Sequence, residues 1–589
     1  MVVPFSPMAE NWQLFPAMLL VGAFTINLSR LHQIKLHAMD HRAFLRIAST
    51  AAALSLFAMG ISFTLGLSGP RSIPLIFGAF FFLSSSLVRV IGLQVLLALG
   101  SKSKPDVRVA IYGAGAAGIQ LAAALQQSAE ARPCFFIDDN PNLHGLLMNG
   151  LPVHPQTKLA AKVQKHKIDR ILLAMPSTER ARRNEILQEI SELSVEVMIL
   201  PSYVDLMADG GVEQALRPVR PDELLGRDKV ELDIPEIAKS YAGRTIMVTG
   251  AGGSIGSELC RQLLNRAPER IVLFEQSEFS LYAIDREIRG LVASSKKDVQ
   301  IVTRLGSVTN RERIRTVIQE QGVDIILHAA AYKHVPMVEE NELEGANNNV
   351  LGTQTVAEVA AEENLERFIL VSTDKAVRPT NIMGATKRMA ELVVQDIQTR
   401  NPQTKFAMVR FGNVLGSSGS VLPLFESQIR AGGPVTVTHP EVTRFFMTIP
   451  EAARLVLLAG AYAEGGDLFV LDMGKPQKIV DIARKMIQLS GRTVKESPDA
   501  TGDIELKIVG LRPGEKLYEE LLIDDDSLIA TPHPKILRAQ EAQLSQIEVA
   551  AMLREINKAI GAANPQHLRN TIKSSVDGYH QPKGEARPA

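Results

Sequence analysis

Cysteine is almost missing from this sequence, with Cys134 and Cys260 the two in 589 residues. Both lie in or beside apolar runs, which excludes a disulfide framework and fits buried thiols in a reducing compartment. No His or Cys cluster has the spacing of metal ligands, so no metal is expected. Net charge is also missing, because 64 basic residues balance 64 acidic ones. Nothing therefore points to a nucleic-acid partner. No Lys or Arg precedes Arg30, so the first apolar run lacks the basic start of a cleaved signal peptide.

Long apolar runs, by contrast, are plentiful at one end. The mean hydropathy of +0.06 hides a first hundred residues far more apolar than the rest. Residues 11–29, 47–70 and 72–88 carry no charge. A spanning helix needs about 20 mostly apolar residues, so three spans are expected at 11–29, 47–70 and 72–95, the third with Arg89 reaching back to the interface. Arg30, Lys35, Arg42 and Arg46 crowd the first loop, and Arg89, Lys102 and Lys104 follow the third run. The excess of positive charge assigns these segments to the cytoplasm and the N-terminus to the outside. Residues 1–104 thus read as a multi-pass region in a lipid bilayer.

Two nucleotide-type units follow. In 105–204, the strand "VRVAIY" leads into "GAGAAG" (Gly113, Gly115, Gly118), and a second strand ends at Asp138–Asp139, where an acid would meet a ribose. Further strands fall at 170–175 and 195–200. Either a bound nucleotide or tight helix–strand packing explains these glycines, and both readings stay open. A connector, 205–240, leads to the second unit, 241–540. There a strand runs into Gly250, Gly253, Ser254, Ile255 and Gly256, and then a helix. Such a turn lets the backbone approach a pyrophosphate, whose charge the helix N-terminus meets. Glu275 ends the next strand, placed to accept from ribose hydroxyls and to repel a 2′-phosphate, which favours NAD over NADP. Strands at 323–328, 367–373 and 406–410 complete the sheet, and "HAAAYKHVP", "STDK" and "RFGNVLGSSGS" sit at their ends, where such sheets bind ligands. The fold class is α/β: membrane helices, then two tandem Rossmann-like, doubly wound parallel-sheet domains. Residues 541–589 read as a short helix and a mobile tail without core residues.

The segment 371–391, "VSTDKAVRPTNIMGATKRMAE", resembles a short-chain dehydrogenase/reductase active site, with Thr373 at a strand end and Lys387 on the next helix. One thing is missing: the tyrosine that resemblance leads one to expect four residues before the lysine is Met383. Together with "TGAGGSIGSEL" (249–259), "RFGNVLGSSGSVLPLF" (410–425), "EVTRFFMTIPEA" (441–452) and "RPGEKLYEEL" (512–521), the pattern is similar to membrane-bound polysaccharide-biosynthesis proteins of the UDP-N-acetylglucosamine 4,6-dehydratase type. Larger members carry four spans, and this N-terminus reads as three, a shortened start.

The resemblance implies NAD and UDP-N-acetylglucosamine or a related UDP-sugar, a bacterial inner membrane, catalytic domains in the cytoplasm, and a homo-oligomer. Oxidation at sugar C4 acidifies the C5 proton, water leaves across C5–C6, and hydride returns to C6. Thr373 would bond the C4 oxygen, Asp374 protonate the departing C6 oxygen, and Lys375 take the C5 proton. Lys375 would need a pKa depressed by burial and nearby cations, with Arg378 and Lys387 the candidates. Lys387 would hold the nicotinamide ribose, and Met383 would fill space beside the cofactor. The Asp374–Lys375 pair, or a held water, would then take the C4 hydroxyl proton in place of the tyrosine. Lys333 and His334 would lie near the sugar, and Asn413, Arg444 and Arg512 near the diphosphate, with Glu515 a partner. On this reading residues 241–540 suffice for activity. The rivals are a 4-epimerase, which needs no acid–base pair for elimination, and an inactive nucleotide-sensing scaffold.

Overall fold

The computed structural model describes residues 14–31, 41–66, 70, 72–100, 107–127, 131–176, 178, 180–200, 217–219, 235–295, 297–497, 500–521, 528–541 and 543–580. The three uncharged runs form helices Leu14–Leu28, His41–Thr64 and Ile73–Gly100. Among the described residues, Ala43–Thr64 and Ile73–Gly92 are long and apolar enough to cross a membrane. The first helix has 15 residues, about 22 Å at 1.5 Å per residue, and falls short of a crossing. Helix Ile73–Gly100 turns Phe80, Leu83 and Leu87 outward, unlike a core helix. Its Arg89 is held by the Ser85 hydroxyl at 2.5 Å and donates to the Leu31 carbonyl at 3.2 Å.

Runs of Val, Ile and Leu make strands that are buried on both faces, as a parallel sheet covered by helices requires. In the first α/β unit the strands stand in the order Leu147–Met148, Leu151–His154, Ala131–Ile137, Val107–Tyr112, Arg170–Leu173, Glu196–Ile199 and Arg217–Pro218. Arg217–Pro218 pairs antiparallel to Glu196–Ile199, so this unit draws in residues expected to be connector. Most of 205–234 lies outside the described residues. The connector also ends earlier than 240. Helix Pro235–Tyr241 sinks Ile237 and Tyr241 into the second core, and the Tyr241 hydroxyl donates to the Leu457 carbonyl at 2.8 Å. The first unit in turn takes Leu489, from helix Ile479–Leu489, into its own core.

The second sheet has nine strands. Gln300–Leu305, Arg270–Glu275, Thr245–Thr249, Ile325–His328, Arg367–Val371, Lys405–Arg410 and Asp467–Leu471 run in that spatial order, all parallel, and two antiparallel strands from the C-terminal part close the edge. Chain direction along the sheet reverses between Thr245–Thr249 and Ile325–His328, which opens a crevice beyond their carboxyl ends. Short pairs outside the sheet, Asn413–Leu415 with Phe446–Thr448 and Thr443–Arg444 with Gln477–Lys478, fold over that crevice.

The C-terminal segment departs from expectation. It forms two helices, Gln546–Gly561 and Pro565–Ser575, where one helix and a coreless tail were anticipated. Val549, Met552, Ile556, Leu568, Ile572 and Val576 join the core that holds Met383 and Met389. Their apolar residues recur at helical spacing and complete the cover of helix Ile382–Arg400, whose residues 382–397 are all buried. Arg569 clamps Glu342, and the His580 amide donates to the Pro379 carbonyl at 3.2 Å. A chain cut at 540 would strip this cover, so 241–540 is not a complete unit. Residues 581–589 lie outside the described residues.

Candidate active site

Strand Thr245–Thr249 ends in a glycine turn whose last glycine packs against its first. A Cβ on Gly256 would lie 2.0 Å from the Gly250 carbonyl oxygen, so the helix Ser254–Leu263 starts hard against the strand end. Glu275 closes the turn: it accepts from the Gly252 amide at 3.1 Å and from the Gln276 and Ser277 amides at 2.9 and 3.1 Å. A cavity of about 300 Å³ opens here, walled by Gly250, Gly252, Gly253, Glu275 and Asn348. Beside it lies a larger cavity of about 810 Å³. Its wall includes Gly253, Ser254, Ile255 and Gly256 together with Lys333, His334, Asn413, Arg444, Arg512 and Glu515. Thr373, Lys375, Met383 and Lys387 lie on the wall as well. Residues spread over more than 250 positions of the chain thus meet around one space.

The strand Arg367–Val371 delivers Thr373, which caps the short turn Asp374–Ala376. Helix Ile382–Arg400 begins close above it. A Cβ on Gly384 would lie 2.2 Å from the Lys375 carbonyl oxygen, so only glycine permits this approach. Asn381 caps that helix by accepting from the Gly384 amide at 2.8 Å, and one turn on, the Lys387 amine donates to the Val371 carbonyl at 2.8 Å. Burial brings Lys387 down to about 8 against the opposing pull of Glu391. Met383 is buried among apolar neighbours and lines the cavity.

Asp374 occupies a different place from the one anticipated. It is 1 % exposed and not part of the cavity wall, because its amide bonds the Phe411 carbonyl and draws it behind the strand end. It reaches the cavity through neighbours, accepting from the Thr373 hydroxyl at 3.0 Å and from the Lys375 ammonium at 3.1 Å. Asp374 therefore meets the cavity only through the Thr373 hydroxyl and the Lys375 ammonium, and not directly as anticipated. Burial, and next the charge of Glu519, raise the Asp374 carboxyl to about 7, although Lys375 pulls the other way.

The expectation for Lys375 is also reversed. Its ammonium donates to Asp374 at 3.1 Å, to the Asn413 side-chain oxygen at 3.0 Å and to Glu519 at 2.8 Å. Burial works to lower its pKa, but the two carboxylates overcome it and hold the amine strongly in its charged form. Of the cations expected to depress it, Arg378 pairs with Glu520 at 3.3 Å and Lys387 bonds a backbone carbonyl.

Glu519 went unassigned in the sequence. It is 9 % exposed and also takes a bond from the Asn413 amide at 3.1 Å and an ion pair with Arg444 at 3.3 Å. Its one signal was its place in "RPGEKLYEEL", within a segment that supplies Arg512 and Glu515. A second buried network lies below the site. Arg410 spans Glu391 and Glu541, and Ser372 donates to Glu391 at 2.6 Å.

Residues 246–541 match the model of the polysaccharide biosynthesis protein family, and residues 32–201 match a CoA-binding domain model. The chain is similar to the capsular polysaccharide biosynthesis protein CapD of Staphylococcus aureus, with 44% identity over 76% of this chain and 74% of the relative. It is 43% identical to the probable polysaccharide biosynthesis protein EpsC of Bacillus subtilis strain 168, over 73% of this chain and 70% of that one. A UDP-glucose 4-epimerase of Rickettsia massiliae is 32% identical over 49% of this chain and 80% of the relative.

Proposed function

The chain belongs to the polysaccharide biosynthesis protein family, and from that premise we propose that it is an NAD-dependent UDP-N-acetylglucosamine 4,6-dehydratase. One observation carries the reading: Thr373 and Lys375, backed by Asp374, share a cavity wall with the glycine turn and Lys387. The turn fits a dinucleotide, since Gly250, Gly252 and Gly253 line the smaller cavity with bare backbone and Glu275 shares its wall. Gly250, Gly253, Ser254, Ile255 and Gly256 would receive the diphosphate, Glu275 the adenosine ribose and Lys387 the nicotinamide ribose. When bound, NAD supplies a hydride acceptor for sugar C4 and the same hydride for C6.

The chain's own groups then move the protons. Thr373 receives the C4 hydroxyl proton as its own proton passes to Asp374, which answers the missing tyrosine at Met383. Lys375, once uncharged, takes the proton of C5, made acidic by the neighbouring ketone. Asp374 returns its proton through Thr373 to the C6 oxygen, which leaves as water. Lys375 finally gives C5 its proton as hydride reaches C6. Each proton transfer of this kind contributes roughly 10²–10⁴-fold. Lys333 and His334 would contact the sugar, and Asn413, Arg444 and Arg512 the UDP diphosphate. Two helices among the described residues that are long and apolar enough to cross a membrane, with the basic first loop, support a place in a bacterial inner membrane with the α/β units in the cytoplasm.

The similarity to a 4-epimerase favours a second reading, in which the ketone is reduced again at C4. Incubating the purified protein with UDP-N-acetylglucosamine separates the two. A product lighter by one water, carrying a 4-ketone and a C6 methyl group, supports the dehydratase. A product of unchanged mass with C4 inverted overturns it.

A further inference from the structure

The Lys375 ammonium has three N–H bonds, and all three are taken, by Asp374, Asn413 and Glu519. A lysine held this way has no lone pair to offer C5. The mechanism above needs that lone pair, and it must appear after the ketone forms and not before. Asp374 supplies the timing. In the resting site it is one of two carboxylates around the ammonium, and its second oxygen, Oδ2, is buried without a donor. When the C4 proton arrives, Asp374 becomes neutral and one of the two charges holding Lys375 vanishes. Glu519 is then the acceptor left at 2.8 Å.

Resting on the dehydratase reading, we propose that Glu519 is the positioning residue that holds Lys375 charged until C4 is oxidised and then takes its proton, freeing Lys375 to deprotonate C5. The proton count closes. At rest one proton sits in the triad, on Lys375. Oxidation at C4 adds a second, on Asp374. Transfer from Lys375 to Glu519 leaves all three groups neutral, a change that a buried site favours over a separated ion pair. Elimination breaks the C5–H bond, with the proton going to Lys375, and breaks the C6–O bond, with the Asp374 proton leaving in water. When Lys375 protonates C5, two of the three groups are left bare and the proton on Glu519 returns to Lys375, which restores the start.

Other charges face the triad. Against the effect of its burial, Lys375, and next Arg444 at 3.3 Å, hold Glu519 anionic. Arg444 also lines the large cavity, so a diphosphate there competes with Glu519 for the guanidinium and eases the proton's arrival. Lys516 acts on both carboxyl groups from the same segment as Glu519, and Lys333 faces Lys375 from across the cavity.

The test uses Glu519→Gln in the full chain, which keeps size and hydrogen bonding but removes the proton site. With UDP-N-acetylglucosamine in deuterated buffer, absorbance of the reduced cofactor reports hydride removal, and deuterium at C5 reports base action. We expect the reduced cofactor still to form and C5 exchange to be slowed relative to that step by at least about 100-fold, as for loss of a proton-transfer group. C5 exchange at near-normal rate in Glu519→Gln, with exchange abolished in Lys375→Ala, overturns the role of Glu519 alone. Normal exchange in Lys375→Ala instead removes Lys375 as the base, whereas the dehydratase reading itself falls if the unaltered protein forms no 4-ketone. Infrared difference spectra of the unaltered protein guard against a variant that fails to fold. Adding substrate must produce a protonated-carboxyl band, and its absence overturns the proposal.

Discussion

The two α/β units begin alike and end differently. In each, a glycine turn is closed by an acid from the next strand: Asp138 accepts from the Ala114 amide at 2.7 Å, as Glu275 accepts from the Gly252 amide at 3.1 Å. Beyond that point the first unit spends its polar groups on itself. Asp139 is held by the Tyr112 hydroxyl at 2.9 Å and by Arg182 at 2.9 Å. The second unit keeps Thr373, Lys375, Asn413 and Arg444 on a cavity wall. A glycine turn with an acid is thus a structural inheritance common to both, and the chemistry comes from what three further strand ends and the C-terminal lobe add.

The sharpest way to break this contrast is to remove pieces. A protein ending at 540 loses Ile556, Leu568 and Ile572, all fully buried. Each large apolar deletion costs about 2–5 kcal/mol against a total of roughly 5–15 kcal/mol. We expect no cooperative melt and no dehydration, measured by calorimetry and product analysis. A protein of residues 235–580, without the first unit, should fold and turn over, with Leu489 newly exposed. Inactivity there would mean that the two units are not separable.

Single residues come next. Lys375→Ala should slow turnover by about 10²–10⁴-fold, whereas Asp139→Asn in the first unit should leave it within about twofold. Glu275→Ala should weaken NAD binding by about 1.5–3 kcal/mol through loss of a charge-assisted bond, read by titration calorimetry, and Asp138→Ala should not. Equal effects of the two acids would place NAD in both units.

The pH profile is a smaller effect. Asp374 must be a carboxylate to receive the C4 proton, and its pKa is raised to about 7. Its proton-bound form therefore dominates below that value, and kcat/KM should fall up to tenfold for each pH unit below about 7. A flat profile from pH 5 to 8 would remove Asp374 from the first step. Smallest of all is Met383→Leu, a swap of similar volume and polarity, which should keep most activity in the same assay.

Much of this site could be read from the chain. Thr373, Lys375 and Asn413 stand in motifs at strand ends, the family resemblance adds Lys387, Arg444 and Arg512, and all six line one cavity. Two things were hidden. Adjacent residues such as Asp374 and Lys375 touch each other yet differ in exposure, so only the folded structure reveals that Lys375 lines the cavity and Asp374 lies behind it. The environment of Lys375 depends on Glu519, 144 positions away, and no local pattern announces a contact made by tertiary packing. The second C-terminal helix and the core contacts of both were missed for a related reason. Their apolar residues are sparse, and Val576 becomes core only because helix Ile382–Arg400 offers a surface to cover.

That dependence on the last helices bears on how the protein is made. Synthesis proceeds at about 5–20 residues per second, so roughly 15–65 seconds separate the emergence of Gly250 from that of Val576. In the later part of that interval, after Arg400 has emerged, the helix bearing Met383 and Lys387 has one side uncovered. The seven-strand parallel core, complete once Leu471 is made, waits for the antiparallel edge strands. By then the apolar N-terminal helices have long left the ribosome. The nascent chain thus has its apolar N-terminal helices in hand before the candidate site can close, and the cover of that site is complete only with helix Pro565–Ser575 and Val576.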